Sequence, residues 1–338
     1  MSKKSWRINK GCQMHVLITG ANGFVGQALV NHILSQGCVG ESKVSRLTLL
    51  DRQFDGAVID SSSFDFVVEQ HSGDLADDQW LKDTLGRFPM DVIYHLASIP
   101  GGMAEKNDEL GRSVNIDATM TLLEICKAQT QSIGHKPVLV FASSIAVFGI
   151  MPDLVTDDTP LKPQMSYGAH KIVAEVMIND FSRRGWVDGR SLRLPGVLAR
   201  PPAETGQLSA FLSDIIRELS QGYTFVCPMS AQAKTWASSL PNIIENLIHG
   251  AVIEESQLKA TRTFTLPTLC FSMAEIVDAI GSVYKQNAKE LVSYKPNPMI
   301  ENLFGRFPPL ETPSAEEVGF KHDGDLNNLV RQALVNSN

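Results

Sequence analysis

The chain has 338 residues, 43% of them hydrophobic, which exceeds the roughly 250–300 at which a single core stops growing and leads us to expect a large domain with a smaller lobe. Lys and Arg number 30 against 37 Asp and Glu, a formal charge of -7, the wrong sign for binding a phosphate backbone, so nucleic acid is not expected as a partner. The 5 cysteines are widely spaced and form no Cys-x-x-Cys, which fits buried thiols in a reducing cytoplasm, and no apolar run reaches the ~18 residues that span a membrane.

Residues 1–13 are basic and lack an apolar stretch, matching neither a secretory signal nor a transit peptide. They are set apart as an N-terminal extension, or as the product of a mis-assigned start codon, because Met14 opens the first strand directly. His15 to Thr19 is a short β-branched run closed by Gly20, and Ala21-Asn22-Gly23-Phe24-Val25-Gly26 opens a helical pattern through Leu34. Strand, glycine turn and helix in that order suit a dinucleotide. Gly20 permits the tight turn, Gly23 lets the backbone approach the pyrophosphate, and Gly26 lets helix pack on strand, with Asn22, Phe24 and Val25 completing the cradle. The G-x-x-G-x-x-G spacing differs from the commoner G-x-G-x-x-G.

Arg46 to Leu50 reads as the next strand and ends in Asp51, where an acid that binds a ribose 2′-OH is expected. Asp51 repels a 2′-phosphate and so favours NAD over NADP, unless Arg52 reaches such a phosphate; a plain strand-end cap is the alternative. Phe66 to His71 is a strand leading into Gly73-Asp74-Leu75, Asp77 to Leu85 a helix, and Asp91 to Ala97 the fourth strand. A long helix from about Glu109 to Gln131 and a fifth strand, Pro137 to Phe141, follow. This alternation predicts a doubly wound parallel sheet, with ligands at the carboxyl ends of its strands. Asp74 and Leu75 then fall beside the adenine, and Ala97 and Ser98 beside the ribose, unless they only form turns. Asn115 either holds a water chain from Lys171 or caps backbone as a buried amide.

The fifth strand runs into Ser143-Ser144, where a hydroxyl can bond the substrate oxygen whose charge changes. Tyr167 and Lys171 stand four apart on a helix and share one face. A cation beside the phenol should bring its pKa down from about 10, making Tyr167 a general base.

Taken together, Thr19-Gly20-x-x-Gly23-x-x-Gly26, Asp74-Leu75, His95-Leu96-Ala97, Asn115, Ser143-Ser144 and Tyr167-x-x-x-Lys171 resemble the extended short-chain dehydrogenases/reductases, the group that includes nucleotide-sugar epimerases. The resemblance implies a Rossmann-like fold, NAD as cofactor and a catalytic set of Ser144, Tyr167 and Lys171. Ser144 is preferred to Ser143 because it stands five before Gly149, as in the family's Ser-x-x-Val-Tyr-Gly, with Phe148 here for Tyr. Ile145-Ala146 stands where dehydratases carry Asp-Glu, which argues against dehydration. Arg193-Leu194-Pro195-Gly196-Val197 lacks the Asn with which galactose epimerases bind a diphosphate.

From Met14 onward the chain is similar to the D-erythronate dehydrogenases. The stretches that carry this include 101–105, 110–115, 143–149, 179–185 and 188–195. That resemblance implies NAD-dependent oxidation of the hydroxyl next to the carboxylate of a four-carbon sugar acid, giving 2-oxo-D-erythronate, with Gly196 to Ala199 replacing an expected polar run. Residues 14–195 are expected to bind NAD and 196–338 to form a smaller α+β substrate lobe, parts of it packed back on the main sheet. Pro195 to Gly206 is expected to loop over the nicotinamide, bringing Pro195 and Val197 to the cofactor. Leu208–Ser220, Pro241–His249 and Ser272–Tyr284 read as helices, Tyr223–Pro228 and Thr261–Leu266 as strands.

A sugar-acid carboxylate calls for a fixed cation, with Arg200 and Lys234 as candidates and Ser98, Met103 and Trp236 as walls. No metal is called for. Tyr167 is expected to take the hydroxyl proton as hydride leaves for the nicotinamide, Ser144 to orient the alcohol, and Lys171 to hold the nicotinamide ribose. The alternatives are a nucleotide-sugar epimerase and a non-catalytic NAD-binding regulator, against which the intact triad argues. Ile172, Val173, Val176, Met177 and Phe181 on one helix, and Ile116, Met120, Leu123 and Lys127 on another, predict a homodimer through the Tyr167 and Asn115 helices.

Overall fold

The computed structural model describes residues 14–56, 59–200, 209–258 and 261–335; the N-terminal extension lies outside them. Strand β1 (Met14–Thr19) is buried at all 6 positions, which requires a layer on each face of its sheet and suits a central parallel strand. Helix α1 (Phe24–Gln36) leads to a short hairpin of β2 (Cys38–Val39) and β3 (Ser42–Asp51), and β4 (Val67–Ser72) and α2 (Asp78–Leu85) follow. Then come β5 (Val92–His95), α3 (Gly101–Lys106), α4 (Asp108–Arg112), α5 (Ala118–Ile133), β6 (Val138–Ser144), α6 (Ser166–Arg183) and β7 (Asp188–Leu194). The remainder forms β8 (Gly196–Leu198), α7 (Phe211–Ser220), β9 (Phe225–Cys227), β10 (Lys234–Ser239), α8 (Leu240–Val252), β11 (Thr263–Thr265), β12 (Leu269–Ser272), α9 (Met273–Tyr284) and β13 (Val292–Tyr294), with short helices to residue 333.

The main sheet runs β11-β7-β6-β5-β1-β3, with β4 on the far side of β3 and β2 turned antiparallel against its start. Every other pairing in it is parallel. The chain moves outward from β1 to β4 and then returns to the other side of β1 as β5. A crevice is therefore fixed between the ends of β1 and β5, the switch point at which such sheets bind ligands. Alternate residues feed opposite layers: Val16 and Ile18 join the core under α1 and α8, and Leu17 joins the core under α2, α5 and α6.

Two pieces that follow residue 195 belong to this sheet. β11 adds to its β7 edge, and α8 packs over β6 and β7. The smaller lobe has its own core, in which Ile215, Ile216 and Leu219 of α7 meet Ile276 and Ile280 of α9 and Leu329 and Val330 near the C-terminus. It carries a three-stranded sheet, β12-β10-β8, and a β13-β9 pair.

The structure differs from the sequence expectation at several points. The long helix over 109–131 is interrupted by a π turn at Ser113–Asp117 between α4 and α5, a local widening that heptad-like periodicity does not reveal. The segment after Pro195 is strand β8 rather than a loop, because Gly196 to Leu198 pair with Ala237 to Ser239; residues 201–208 of the expected nicotinamide loop lie outside the described residues. Phe181 and Leu123, assigned to an outward stripe, are in the core, where Leu123 points from α5 into the cluster around Leu17 and Ile93 and Phe181 meets Trp186 edge-on. The outward band on α6 is narrower, centred on Val173 and Val176, 42% and 59% exposed. Cys38, Cys126, Cys227 and Cys270 are unpaired. Among the described residues no helix is long and apolar enough to cross a membrane.

Candidate active site

The crevice is lined first by backbone. Gly20 has φ +71, and a Cβ there would lie 2.7 Å from the Ala97 nitrogen across the switch point. A Cβ on Gly26 would meet the Gly20 carbonyl oxygen at 2.0 Å, so this glycine is what lets α1 start against the turn. α1 has no side-chain cap at Gly23, which leaves its first amides and the positive end of its dipole directed at the crevice. Asp51 braces the loop from the neighbouring strand, accepting from the Asn22 N–H at 2.8 Å and the Arg52 N–H at 2.7 Å. Its carboxylate retains unshared lone pairs for a diol. Asp74 is exposed at the end of β4 and accepts from the Ala76 N–H at 3.0 Å, with Leu75 buried behind it. A glycine cradle, an open helix N-terminus and a carboxylate one strand over make a site suited to a dinucleotide.

Beside it lies a cluster of hydroxyls. β6 ends at Ser144, whose Oγ accepts from the Ala146 N–H at 3.1 Å, leaving its own proton for another oxygen. The first turn of α6 sits tight against that turn, since a Cβ on Gly168 would come within 2.4 Å of the Ala146 carbonyl oxygen. Tyr167 is thereby brought to Ser144, and the Ser144 and Ser98 hydroxyls both act on its phenol. The Ser98 segment is held by Asn115, whose Oδ1 accepts from Ile99 N at 2.7 Å and Ser98 Oγ at 3.2 Å and whose Nδ2 donates to Ile99 O at 3.1 Å. Asn115 is thus a buried amide that fixes backbone. Its Nδ2 also lies 3.4 Å from His170 Nδ1.

The electrostatics correct one expectation. The Tyr167 pKa is raised, because burial outweighs the Ser98 and Ser144 hydrogen bonds and the charge of Arg200, which all favour the phenolate. Burial likewise brings Lys171 down to about 7, with Glu175 opposing it. The Lys171 Nζ donates to Ala142 O at 2.7 Å and lies 5.3 Å from the Tyr167 ring centroid. Proton transfer at Tyr167 therefore depends on what the hydroxyls and cations around it do once a substrate oxygen arrives.

Of the two candidate cations, Arg200 acts on Tyr167 and stands 5.0 Å from the ring centroid of Phe24, the first residue of α1. Its backbone is anchored by Ser213 Oγ, which accepts its N–H at 2.9 Å, and by Arg217, which donates to its carbonyl. Lys234 opens β10, is exposed, and acts on Cys270 and Glu275 instead. Trp236 does not line the site. It is fully buried between Phe148 and Phe307, with its Nε1 donating to Pro308 O at 2.7 Å, so it supports the β6 turn from behind. Met103 is 47% exposed on α3. Pro195 follows β7 and is buried, and Val197 lies half-buried in β8 with Phe24 and Val25 on the rim of the same core.

Three contributors were missed. Glu105 of α3 accepts from the Ser166 N–H and so caps α6 one residue before Tyr167, a long-range contact without a local signal. His95 is fully buried and joins Thr19 to Thr119. Thr119 donates to Asn115 O, so it must accept from His95 Nε2, and Thr19 then donates to Nδ1. Burial, with the Lys171 charge adding to it, lowers His95 to about 3, which keeps this chain neutral and ordered. The third is Glu175, four residues past Lys171, whose spacing was legible.

Residues 16–236 match the NAD dependent epimerase/dehydratase family. The chain belongs to that family. It is an NAD-dependent oxidoreductase, and NAD fits the glycine cradle and open helix terminus described above. A D-erythronate dehydrogenase of Cupriavidus necator is 34% identical over 324 residues, 94% of this chain and 97% of that protein. Another, of Haemophilus influenzae, is 32% identical over 325 residues, 95% and 99% of the two. The crystal structure of a nucleoside-diphosphate-sugar epimerase from Agrobacterium tumefaciens superposes with a TM-score of 0.88 at 31% identity, covering 99% of this chain and 98% of that one.

Proposed function

We propose that this protein oxidises the hydroxyl next to the carboxylate of a small sugar acid, with D-erythronate the first candidate and 2-oxo-D-erythronate its product. The observation that carries this reading is that Arg200, a planar cation suited to a carboxylate, is placed where its charge acts on Tyr167, a phenol suited to a hydroxyl proton. The two curated relatives of similar length bear the matching name. In this reading Gly20, Asn22, Gly23, Phe24, Val25 and Gly26 hold the pyrophosphate, Asp51 the adenosine ribose, and Asp74 and Leu75 the adenine. Ala97, Ser98, Pro195 and Val197 border the nicotinamide end. Bound NAD supplies the hydride acceptor. Ser144 and Ser98 orient the substrate hydroxyl, Tyr167 takes its proton, and the Lys171 ammonium favours the phenolate while it lasts. Residues 14–195 then serve NAD and most of 196–338 the substrate side, and the unpaired cysteines support a reducing, cytoplasmic setting.

The epimerase reading has the Agrobacterium tumefaciens structure in its favour. Incubating the protein with NAD and a panel of four- to six-carbon sugar acids, against UDP-sugars, separates the two. NADH formation with an acid is expected, and interconversion of UDP-sugars without NADH would reverse the assignment.

We further propose a homodimer through α6 and the π turn–α5 segment, since Val173 and Val176 face solvent and Ile116, Met120 and Met177 are half-buried beside them. Val176→Glu should then sediment as a monomer with reduced activity, and wild-type protein that is monomeric at micromolar concentration would rule the dimer out.

A further inference from the structure

Helix α6 carries Tyr167, Lys171 and Glu175 at intervals of four, so the three lie along one side. The carboxylate of Glu175, 3% exposed, is gripped by two strands. Its Oε1 accepts from Ser143 Oγ at 2.5 Å and Arg193 Nε at 3.0 Å, and its Oε2 accepts from Arg193 Nη2 at 2.8 Å. Ser143 and Arg193 face each other in register on β6 and β7, so both donors come from the carboxyl end of the sheet, which also presents Ser144. Buried ion pairs add little stability, because desolvation offsets their attraction. Stability alone gives no reason for this one to stand a single turn from Lys171.

Lys171 has the complementary need. It is 2% exposed, and its Nζ lies 4.6 Å from the Phe141 ring centroid and donates to one carbonyl. Among the described residues no carboxylate is within ion-pair distance of it. The titratable and charged groups that face it are Tyr167, His170 and Glu175 on α6, His95 on β5, and, beyond Glu175 and Tyr167, Arg193 on β7 and Arg200 after β8. His95 is held neutral, and burial raises Tyr167 and lowers His170. Glu175 is the one anion in this set, and it is the group that opposes the loss of charge on Lys171.

We propose that Glu175 is the internal counter-charge of Lys171, a positioning residue that keeps the ammonium charged and in place beside Tyr167, with Ser143 and Arg193 locking its carboxylate. Its consequence for turnover rests on Tyr167 and Lys171 being the reacting pair; the charge itself is measured without substrate or NAD. The full chain, labelled with carbon-13 at lysine Cε, is titrated by NMR, the Lys171 signal being the one absent from Lys171→Met. The wild-type midpoint is expected at about 7. Glu175→Gln keeps an acceptor but loses the charge, and should lower the midpoint by about one unit or more, so that the ammonium is lost earlier as pH rises. Because that variant strands the buried Arg193, Glu175→Gln with Arg193→Gln is titrated beside it and should also shift downward. An unchanged or raised midpoint in either folded protein overturns the proposal. In turnover, the alkaline limb of the kcat profile should move toward acid by the same amount, whereas a merely structural role would lower kcat evenly at every pH. The two readings fail separately. Full turnover by Tyr167→Phe would remove the catalytic assignment and leave the titration standing, and an unshifted Lys171 beside an inactive Tyr167→Phe would remove only the role of Glu175.

Discussion

The two halves of the crevice are built from different materials. On the cofactor side the chain presents backbone: Gly20, Gly23 and Gly26 remove side chains so that a turn, a strand end and a helix terminus can meet. On the substrate side it presents side chains from four separate segments, with Ser98, Ser144, Tyr167, Lys171 and Arg200 converging through Asn115, Glu105 and Glu175. A backbone site tolerates no added atoms but offers few side chains to exchange. A side-chain site is the reverse, since its parts can be exchanged without refolding and each change alters chemistry.

That contrast can be broken at its strongest point first. Gly26→Ala places a Cβ 2.0 Å from the Gly20 carbonyl oxygen, so α1 must move off the turn, and NAD binding measured by calorimetry should be lost altogether or the protein should fail to fold. Retained affinity would show that the cradle is looser than described. Tyr167→Phe removes a single oxygen and should leave NAD affinity nearly intact while turnover falls at least ~100-fold; equal turnover would sink its role as base. Arg200→Met should raise KM for the acid by roughly 10- to 100-fold, the cost of a charge-assisted pair, with NAD affinity little changed. A weakened NAD instead would move Arg200, which already stands over Phe24, to the cofactor side. Smallest is Asp51→Ala, which should narrow the NAD preference over NADP by about tenfold. Unchanged discrimination would point to Arg52.

The same contrast explains what could be read from the sequence. The glycine spacing, the apolar strands and the Tyr167/Lys171 interval are local, and the switch point follows from strand order once the alternation is recognised. Trp236 and Lys234 were misplaced because alternation along β10 gives no account of which face the β12-β10-β8 sheet turns to the crevice. Phe148 and Phe307 enclose the tryptophan instead. The direction of the Tyr167 shift was misjudged for a related reason. Helical spacing reports a neighbouring cation but not the burial that acts on phenol and ammonium alike. Asn115 was found but its π turn was not, since one extra residue in a helix leaves the apolar pattern almost intact.

The central claim is the place of oxidation. D-erythronate carrying deuterium on the carbon next to its carboxylate should pass that deuterium to NAD, yielding deuterated NADH and 2-oxo-D-erythronate in equal amounts by mass spectrometry. NADH that carries no deuterium would place the oxidation at another carbon and contradict the account.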